Sequence, residues 1–341
     1  MTRSTALLAG APANFDERDP EFIRANLPLW WLLATVYHRA EVEGFEHVPD
    51  RPVLFVGNHS GGAVSPDTII FLLAHATYFG VERPLYALGH VMATSLPVLG
   101  NYVRRLGIVT AAPTVAQEAF DRDASVLVYP GGDVETFRPW TRRHRIEFAG
   151  RQGFLRTAYD AGVPIVPVVA DGGHDTLVVL TDGRRLASAL KFDKLLRVKS
   201  VPLVLAPPWG VSVGDWLLHW PLPAKIRIRV LEPIDLRERY GDAPDYDDAY
   251  AYVTSKMQAE LSRLAARRVF PPYRRGTSTA ASGSSAPPRS PGKRSRTSNV
   301  SGSSSWVSPA GTRSGRPPAA PATSTRSCCR SGPSPPGRRS P

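Results

Sequence analysis

Cysteine is nearly absent from this 341-residue sequence; there are two, Cys328 and Cys329, both close to its C-terminal end. The remainder can therefore hold neither a disulfide framework nor a cysteine-based metal site. Eight histidines are scattered with no pair at His-x3-His spacing, so no metal is expected. No apolar run reaches the roughly 20 residues that cross a bilayer. The N-terminal stretch Met1 to Pro20 lacks the basic start and long apolar run of a secretory signal, so a cytoplasmic setting is expected. Acidic residues are missing altogether from 273–341, whereas Arg and Lys between Arg274 and Arg339 number twelve. The formal net charge of +12 belongs to that stretch alone, because residues 1–273 hold 30 basic and 30 acidic side chains. Nucleic acid is accordingly not an expected partner of the body of the chain. Large apolar residues are also scarce after Pro272, where Ser, Pro, Gly, Thr, Ala and Arg dominate. Such a segment cannot bury enough surface to offset its ordering entropy, and 273–341 is expected to be a disordered tail.

What is present before Pro272 is an alternation of short apolar runs and helical patterns, with no internal repeat. Strands are expected at Val53–Val56, Leu85–Leu88, Ile108–Thr110, Ser125–Tyr129, Pro164–Val169, Val201–Leu205 and Ile226–Leu231. The first six are mostly continuous runs rich in Val, Ile and Leu, as strands buried on both faces of an α/β sheet would be. Ile226–Leu231 alternates with Arg, as an edge or half-exposed strand would. Helices are expected from Ser65-Pro66-Asp67 through Leu73, with Ser65 as the N-cap, and at Thr114–Arg122, Gly153–Ala161 and Tyr246–Arg268. The reading is one α/β domain over 1–272, with a mixed, largely parallel sheet covered by helices. Within it, residues 20–39 hold the longest apolar stretch, Leu27–Tyr37, with Trp30 and Trp31 adjacent and Arg24, His38 and Arg39 flanking. Two structures fit this pattern: a helix packed on the core, or one lying in a membrane interface.

Three constellations carry chemistry. In Leu54-Phe-Val-Gly-Asn58-His59-Ser60-Gly61-Gly62-Ala-Val-Ser-Pro-Asp67, a buried strand delivers Asn58 and His59 to a Gly-rich turn before a helix. A His where strands end in an open α/β sheet is well sited for a crevice. Glycines there let substrate approach the backbone and leave amides for an oxyanion. In Tyr129-Pro-Gly131-Gly132-Asp133-Val-Glu135-Thr-Phe-Arg138, a second strand runs into glycines and then charges. The third is Val163-Pro-Ile-Val-Pro167, a buried strand bracketed by prolines.

In this order, over roughly residues 50–235, these blocks resemble the PlsC-like glycerolipid acyltransferase family. That family's pattern is Asn-His-x4-Asp, an Arg-containing block with Gly, Phe-Pro-Glu-Gly-Thr-Arg, and Val-Pro-Ile-Val-Pro. Here the second block corresponds to Arg104-Arg105-Leu-Gly107. Two departures stand out. Seven residues, not four, separate His59 from Asp67, and Gly131 stands where the family has its Glu, with no Arg directly after. Asn-His-Ser-Gly-Gly and Tyr-Pro-Gly-Gly are closer to the branch resembling diacylglycerol acyltransferases, which handle neutral glycerolipids.

The resemblance implies a glycerol-3-phosphate acyltransferase-like fold and an enzyme without cofactor or metal. It implies acyl transfer from acyl-CoA or an acyl carrier protein to a glycerolipid hydroxyl at a membrane surface, with the enzyme peripheral on the inner face of the cell membrane. His59 would be the general base and Asp67 would fix its tautomer; the rival role for Asp67 is to favour the helix start. Asn58, Ser60, Gly61, Gly62, Gly131, Gly132, Asp133, Glu135 and Arg138 are the expected substrate-binding residues, with Arg104 and Arg105 toward phosphate groups. A neutral glyceride is the expected acceptor, and lysophosphatidate the alternative, with Arg138 or Arg142, Arg143 and Arg145 then supplying the phosphate site. A serine hydrolase built on Ser60, with Asp171 and His174 or His219, and a non-catalytic lipid-binding protein are the remaining readings. Oligomeric state is left open.

Overall fold

The computed structural model describes residues 15–95, 97–183, 202–215 and 219–268. Two units divide the chain, Met1–Arg274 and Arg275–Pro341; the second, with nearly all of the expected tail, lies outside the described residues. In the first, seven strands form one sheet: β1 (Glu41–Glu43), β2 (Leu54–Gly57), β3 (Leu85–Gly89), β4 (Ile108–Thr110), β5 (Ser125–Val128), β6 (Ile165–Asp171) and β10 (Arg227–Val230). Their order is β1-β10-β6-β2-β5-β3-β4. From β6 to β4 the strands are parallel; β10 runs antiparallel to β6, and β1 parallel to β10. The expected mixed, largely parallel sheet is the one observed.

The continuous apolar runs are explained by burial on two faces. All four positions of β2 and all seven of β6 are buried. Leu54 and Val56 join a core with Val126, Ile165 and Val169, under helices α5 (Pro113–Asp121), α7 (Gly153–Ala161) and α9 (Tyr246–Ala266). Phe55, Leu127, Val166 and Val168 face the other way, against α1 (Pro20–Leu32) and α2 (Pro66–Phe79). Helix α9 buries Ala249, Val253, Met257, Leu261 and Leu264, one stripe at helical spacing. Its Asp245 caps the first turn, accepting from the amides of Asp247 and Asp248 at 2.9 and 3.1 Å, a bond set worth about 1 kcal/mol. Two short helices, α3 (Val91–Ser95) and α4 (Pro97–Arg105), pack on each other and against the edge strand β4.

Three expectations are corrected. Leu203–Ala206 (β8) does not join the main sheet; with β7 (Val178–Thr181) and β9 (Gly210–Val213) it forms a separate antiparallel sheet. Its apolar run is not buried on both faces, since Val204 and Ala206 are buried while Leu205 is exposed. Val201, the start of that expected strand, lies outside the described residues. Ile226–Leu231 is half-exposed as expected but not an edge, because β1 covers it and Glu41 and Glu43 pair with Arg227 and Arg229. Ser65 precedes α2 but does not cap it: it has φ +42° and its hydroxyl donates to the Gly62 carbonyl at 2.7 Å.

Residues 20–39 pack on the core along one side and leave an apolar strip exposed along the other. Helix α1 continues as a π-helical segment, Leu33–Tyr37. Ile23, Trp30 and Ala34 are buried in the core, while Leu29, Trp31, Leu32, Leu33 and Val36 are exposed. Among the described residues no helix is long and apolar enough to cross a membrane.

A chain ending at Pro272 keeps Arg268, whose guanidinium bonds Asp171 at 2.6 Å and also Asp175. We expect it to melt at the same temperature as the full-length chain. Binding to anionic vesicles is expected to weaken in a salt-dependent way, by up to about 1 kcal/mol per lost basic residue near the surface. A lowered melting temperature would show that 273–341 packs on the body.

Candidate active site

Strands β2, β5 and β6 end side by side at the place where the chain order reverses about β2, which is where open α/β sheets form their crevice. The side chains there are held by one another. Asn58 at the end of β2 bridges to β6, its amide donating to the Ala170 carbonyl and its carbonyl accepting from the Ala170 amide, both at 2.8 Å. It is buried and fixes the strand ends. Gly57 is a glycine because Tyr129 crosses it closely; a Cβ would lie 2.5 Å from the Tyr129 ring. That ring stacks on His59 with centroids 4.4 Å apart and planes 14° from parallel.

His59 is half-buried. Its backbone N–H donates to Glu135 Oε2 at 3.0 Å, and its Nδ1 is buried with no partner among the described residues. Burial, and then the positive charge of Arg138, lower the imidazole to about 4. His59 is therefore unprotonated at neutral pH. Stacking on Tyr129 and the backbone bond to Glu135 orient it; among the described residues no carboxylate bonds the imidazole.

Asp67 is the main correction. It takes the Ser60 hydroxyl at 2.6 Å and the Thr68 amide at 2.8 Å, and does not bond His59. With seven intervening residues the chain bulges through Gly61 and Gly62, at φ +84° and +70°, and through Ser65 before α2 begins. Asp67 then sits in the first turn of α2, aimed back at Ser60. Burial pushes its carboxyl up to about 7, against the pull of the Ser60 hydroxyl. No histidine accepts from Ser60, so the hydrolase arrangement is absent: His174 is bonded to Arg138, His219 to Asp215, and Asp171 to Arg268.

The second motif folds over the first. After β5, Gly131-Gly132 leads into α6 (Gly132–Thr136), whose Glu135 is fully buried. Oε1 of Glu135 accepts from Arg138 Nη1 and from the Glu147 amide, each at 3.1 Å. Burial raises this carboxyl while Arg138 and the two amides pull it down. Gly131 makes room for this acid rather than for a bulky acceptor, since a Cβ would meet Glu135 Oε2 at 2.5 Å. The Glu135 carboxylate thus fills the space beside Gly131. Arg138 is also fully buried; its Nη2 donates to His174 Nε2 at 2.9 Å and to the Arg143 carbonyl at 3.3 Å. This bond sets the His174 tautomer, and burial, then Arg138, hold that imidazole well below its ordinary value.

Other expected binding residues lie elsewhere. Arg104 bonds Glu17 and the Thr94 carbonyl, and Arg105 bonds Asp19 at 2.7 Å and stacks over Phe22 at 3.8 Å. Both tie α4 to the N-terminal segment. Asp133 is exposed and pairs with Arg151, which also donates to the carbonyls of Pro130 and Gly131. Arg142 pairs with Glu147 and Asp182. Arg143 lines a recess with Ser60, Asp171, His174, Asp175 and Arg268. The sequence reading gave no role to Tyr129 itself or to Thr68, whose hydroxyl donates to the Tyr129 oxygen at 2.9 Å, and it named His219 only as a hydrolase candidate, without its buried partner Asp215. Tyr129 was detectable as an aromatic ending a buried strand before Gly-Gly; the pair was not. Among the described residues no three His, Cys, Asp or Glu side chains are grouped to hold a metal.

With this geometry in view, the comparisons with known proteins are informative. The family model described as Acyltransferase matches residues 39–171, from just before β1 to the end of β6. An uncharacterised protein of Mycobacterium tuberculosis strain H37Rv is 31% identical over 257 residues, 73% of this chain and 68% of that one. A chicken (Gallus gallus) protein named "DGAT1/2-independent enzyme synthesizing storage lipids" is 28% identical over 211 residues, 60% of this chain and 55% of that one. The crystal structure of a 1-acyl-sn-glycerophosphate acyltransferase from Thermotoga maritima is similar with a TM-score of 0.45 at 20% identity, covering 74% of this chain and 80% of that one. The chain belongs to the acyltransferase family.

Proposed function

We propose that His59 is the general base of an acyl transfer from an acyl thioester, of coenzyme A or a carrier protein, to a neutral glyceride. His59 takes the acceptor's hydroxyl proton as the oxygen attacks the thioester carbonyl carbon. Negative charge gathers on the carbonyl oxygen, and the Gly61 and Gly62 amides, which meet no acceptor among the described residues, are the donors nearest to hand. The C–S bond then breaks, and the leaving thiolate recovers the proton from His59. A base with its pKa near 4 is present in its working form throughout the neutral range.

The observation that carries the neutral acceptor is Arg138. A phosphate is best held by the planar fork of an accessible arginine. The fork of Arg138 is fully buried and engaged by Glu135 and His174, and Arg104, Arg105 and Arg142 are paired with carboxylates away from the turn. We expect a higher kcat/KM for mono- or diacylglycerol than for lysophosphatidate on the same vesicles. A preference for lysophosphatidate that collapses in Arg143→Ala would overturn this and locate the phosphate site.

The acceptor lies in a bilayer, and the exposed strip Leu29, Trp31, Leu32, Leu33 and Val36 suits the membrane surface. Trp31→Ser together with Leu32→Ser is expected to reduce vesicle sedimentation by tenfold or more, about 2–3 kcal/mol for two large apolar side chains. Turnover of a short-chain acceptor dissolved in buffer should stay unchanged. Equal binding of the variant to vesicles would place the docking surface elsewhere.

A further inference from the structure

The Asp–His pair expected at His59–Asp67 exists in the structure, but elsewhere. Asp215, just after β9, lies 2.9 Å from His219 Nδ1 through Oδ1, and its Oδ2 accepts from the Ala63 amide at 2.7 Å. The side chains of His219 and Asp215 are 0% and 2% exposed. A carboxylate on Nδ1 sets the proton there, which leaves Nε2 as a buried acceptor with no donor among the described residues. This pair is packed directly against the Gly-rich turn. A Cβ on Gly62 would lie 2.6 Å from Asp215 Oδ2 and 3.1 Å from His219 Cε1. The chain directly after His219 is tied down: the Trp220 amide donates to the Pro207 carbonyl, the Leu222 amide to the Thr176 carbonyl, and the Trp220 indole to the Tyr37 hydroxyl.

We propose that Asp215 and His219 are positioning residues that clamp the Gly61–Gly62 turn in its catalytic shape. The turn has two glycines in the left-handed region, whose unfolded freedom is large. Ser60 anchors its start on Asp67, and the Ser65 hydroxyl holds the Gly62 carbonyl from within the turn. The Ala63 amide on Asp215 ties the same stretch of backbone to a residue outside the turn, and His219 fixes Asp215. The role rests on the reading that the Gly61 and Gly62 amides face the thioester oxygen. Misplacing such donors by about 1 Å is worth roughly 10²-fold in rate.

The test is a pair of substitutions at one position. Asp215→Ala removes the acceptor for Ala63; it is expected to lower kcat about 10- to 100-fold while KM for the acyl donor stays within about threefold. Asp215→Asn keeps an oxygen for the Ala63 amide and reverses the His219 tautomer, and it is expected to restore kcat to near that of the wild type. A folded Asp215→Ala enzyme with wild-type kcat overturns the clamp. So does an Asp215→Asn enzyme as slow as Asp215→Ala, because that result would assign the effect to the Nε2 lone pair. The contrast needs only an active wild-type enzyme, so an active His59→Ala variant would remove the proposed base and still leave this comparison to decide the clamp.

Discussion

His59→Ala should fold normally and lose on the order of 10²–10⁴ in kcat, the usual contribution of a positioned general base. The side chain is half-buried at a strand end and stacks on Tyr129 without a side-chain hydrogen bond, so its removal leaves no buried polar partner stranded. The wild-type kcat/KM profile is expected to fall on the acid side with an inflection near 4, rather than near the ordinary histidine value of 6.5. The stability linkage has a definite sign. A histidine with a folded pKa below its unfolded one contributes stability that is present above 6.5 and is lost as pH falls from 6.5 toward 4. A folded His59→Ala enzyme that turns over normally would make His59 structural and remove the proposed mechanism.

Arg138→Met should destabilise the fold by about 3–5 kcal/mol, the usual consequence of breaking a fully buried ion pair from one side. Glu135 would be left buried and uncompensated, 3.0 Å from the His59 amide. The double variant Glu135→Gln/Arg138→Met should recover part of that stability, since it removes the uncompensated charge, while the single Gln oxygen can accept from one of the two amides of His59 and Glu147 but not from both. Its acid limb should move upward, because the Arg138 charge is one of the two causes that hold His59 low. Thermal melts of the single and double variants, with the pH profile of the double, check both statements. An Arg138→Met enzyme as stable as the wild type would show that the pair is not coupled to the fold.

Legibility followed the range of the interactions. All five parallel strands were readable within a residue or two from continuous Val, Ile and Leu runs, because burial on both faces demands such runs locally. Strand β1 was not, since Glu41–Glu43 has no apolar run and exists through pairing with distant β10. The two short edge strands of the small sheet were also missed, although Val178, Val179 and Leu180 are apolar and Val211 and Val213 alternate, because each is only four residues long and pairs with β8 alone. In the site, the backbone roles were visible: Gly61 and Gly62 take positive φ, and His59 stands at a strand end. Side-chain pairing was not visible. His59 was assigned Asp67 by order alone, and three extra residues were enough to redirect that carboxyl to Ser60. Arg104 and Arg105 looked like phosphate ligands only because Glu17 and Asp19 are 86 or 87 residues away.

The sequence by itself determined the sheet-forming segments, the Gly-rich turn holding His59 and the charge neutrality of residues 1–273, for these depend on residue type and near neighbours. Tertiary structure decided what each charge does. Arg138, expected to bind substrate, became the buried partner of Glu135, and Gly131 became the space that Glu135 fills. An Asp–His pair formed between Asp215 and His219, against a turn more than 150 residues earlier in the chain. The physical reason is that a buried charge must find its partner in space, and spatial neighbours at the ends of β2, β5 and β6 come from segments that no local pattern connects.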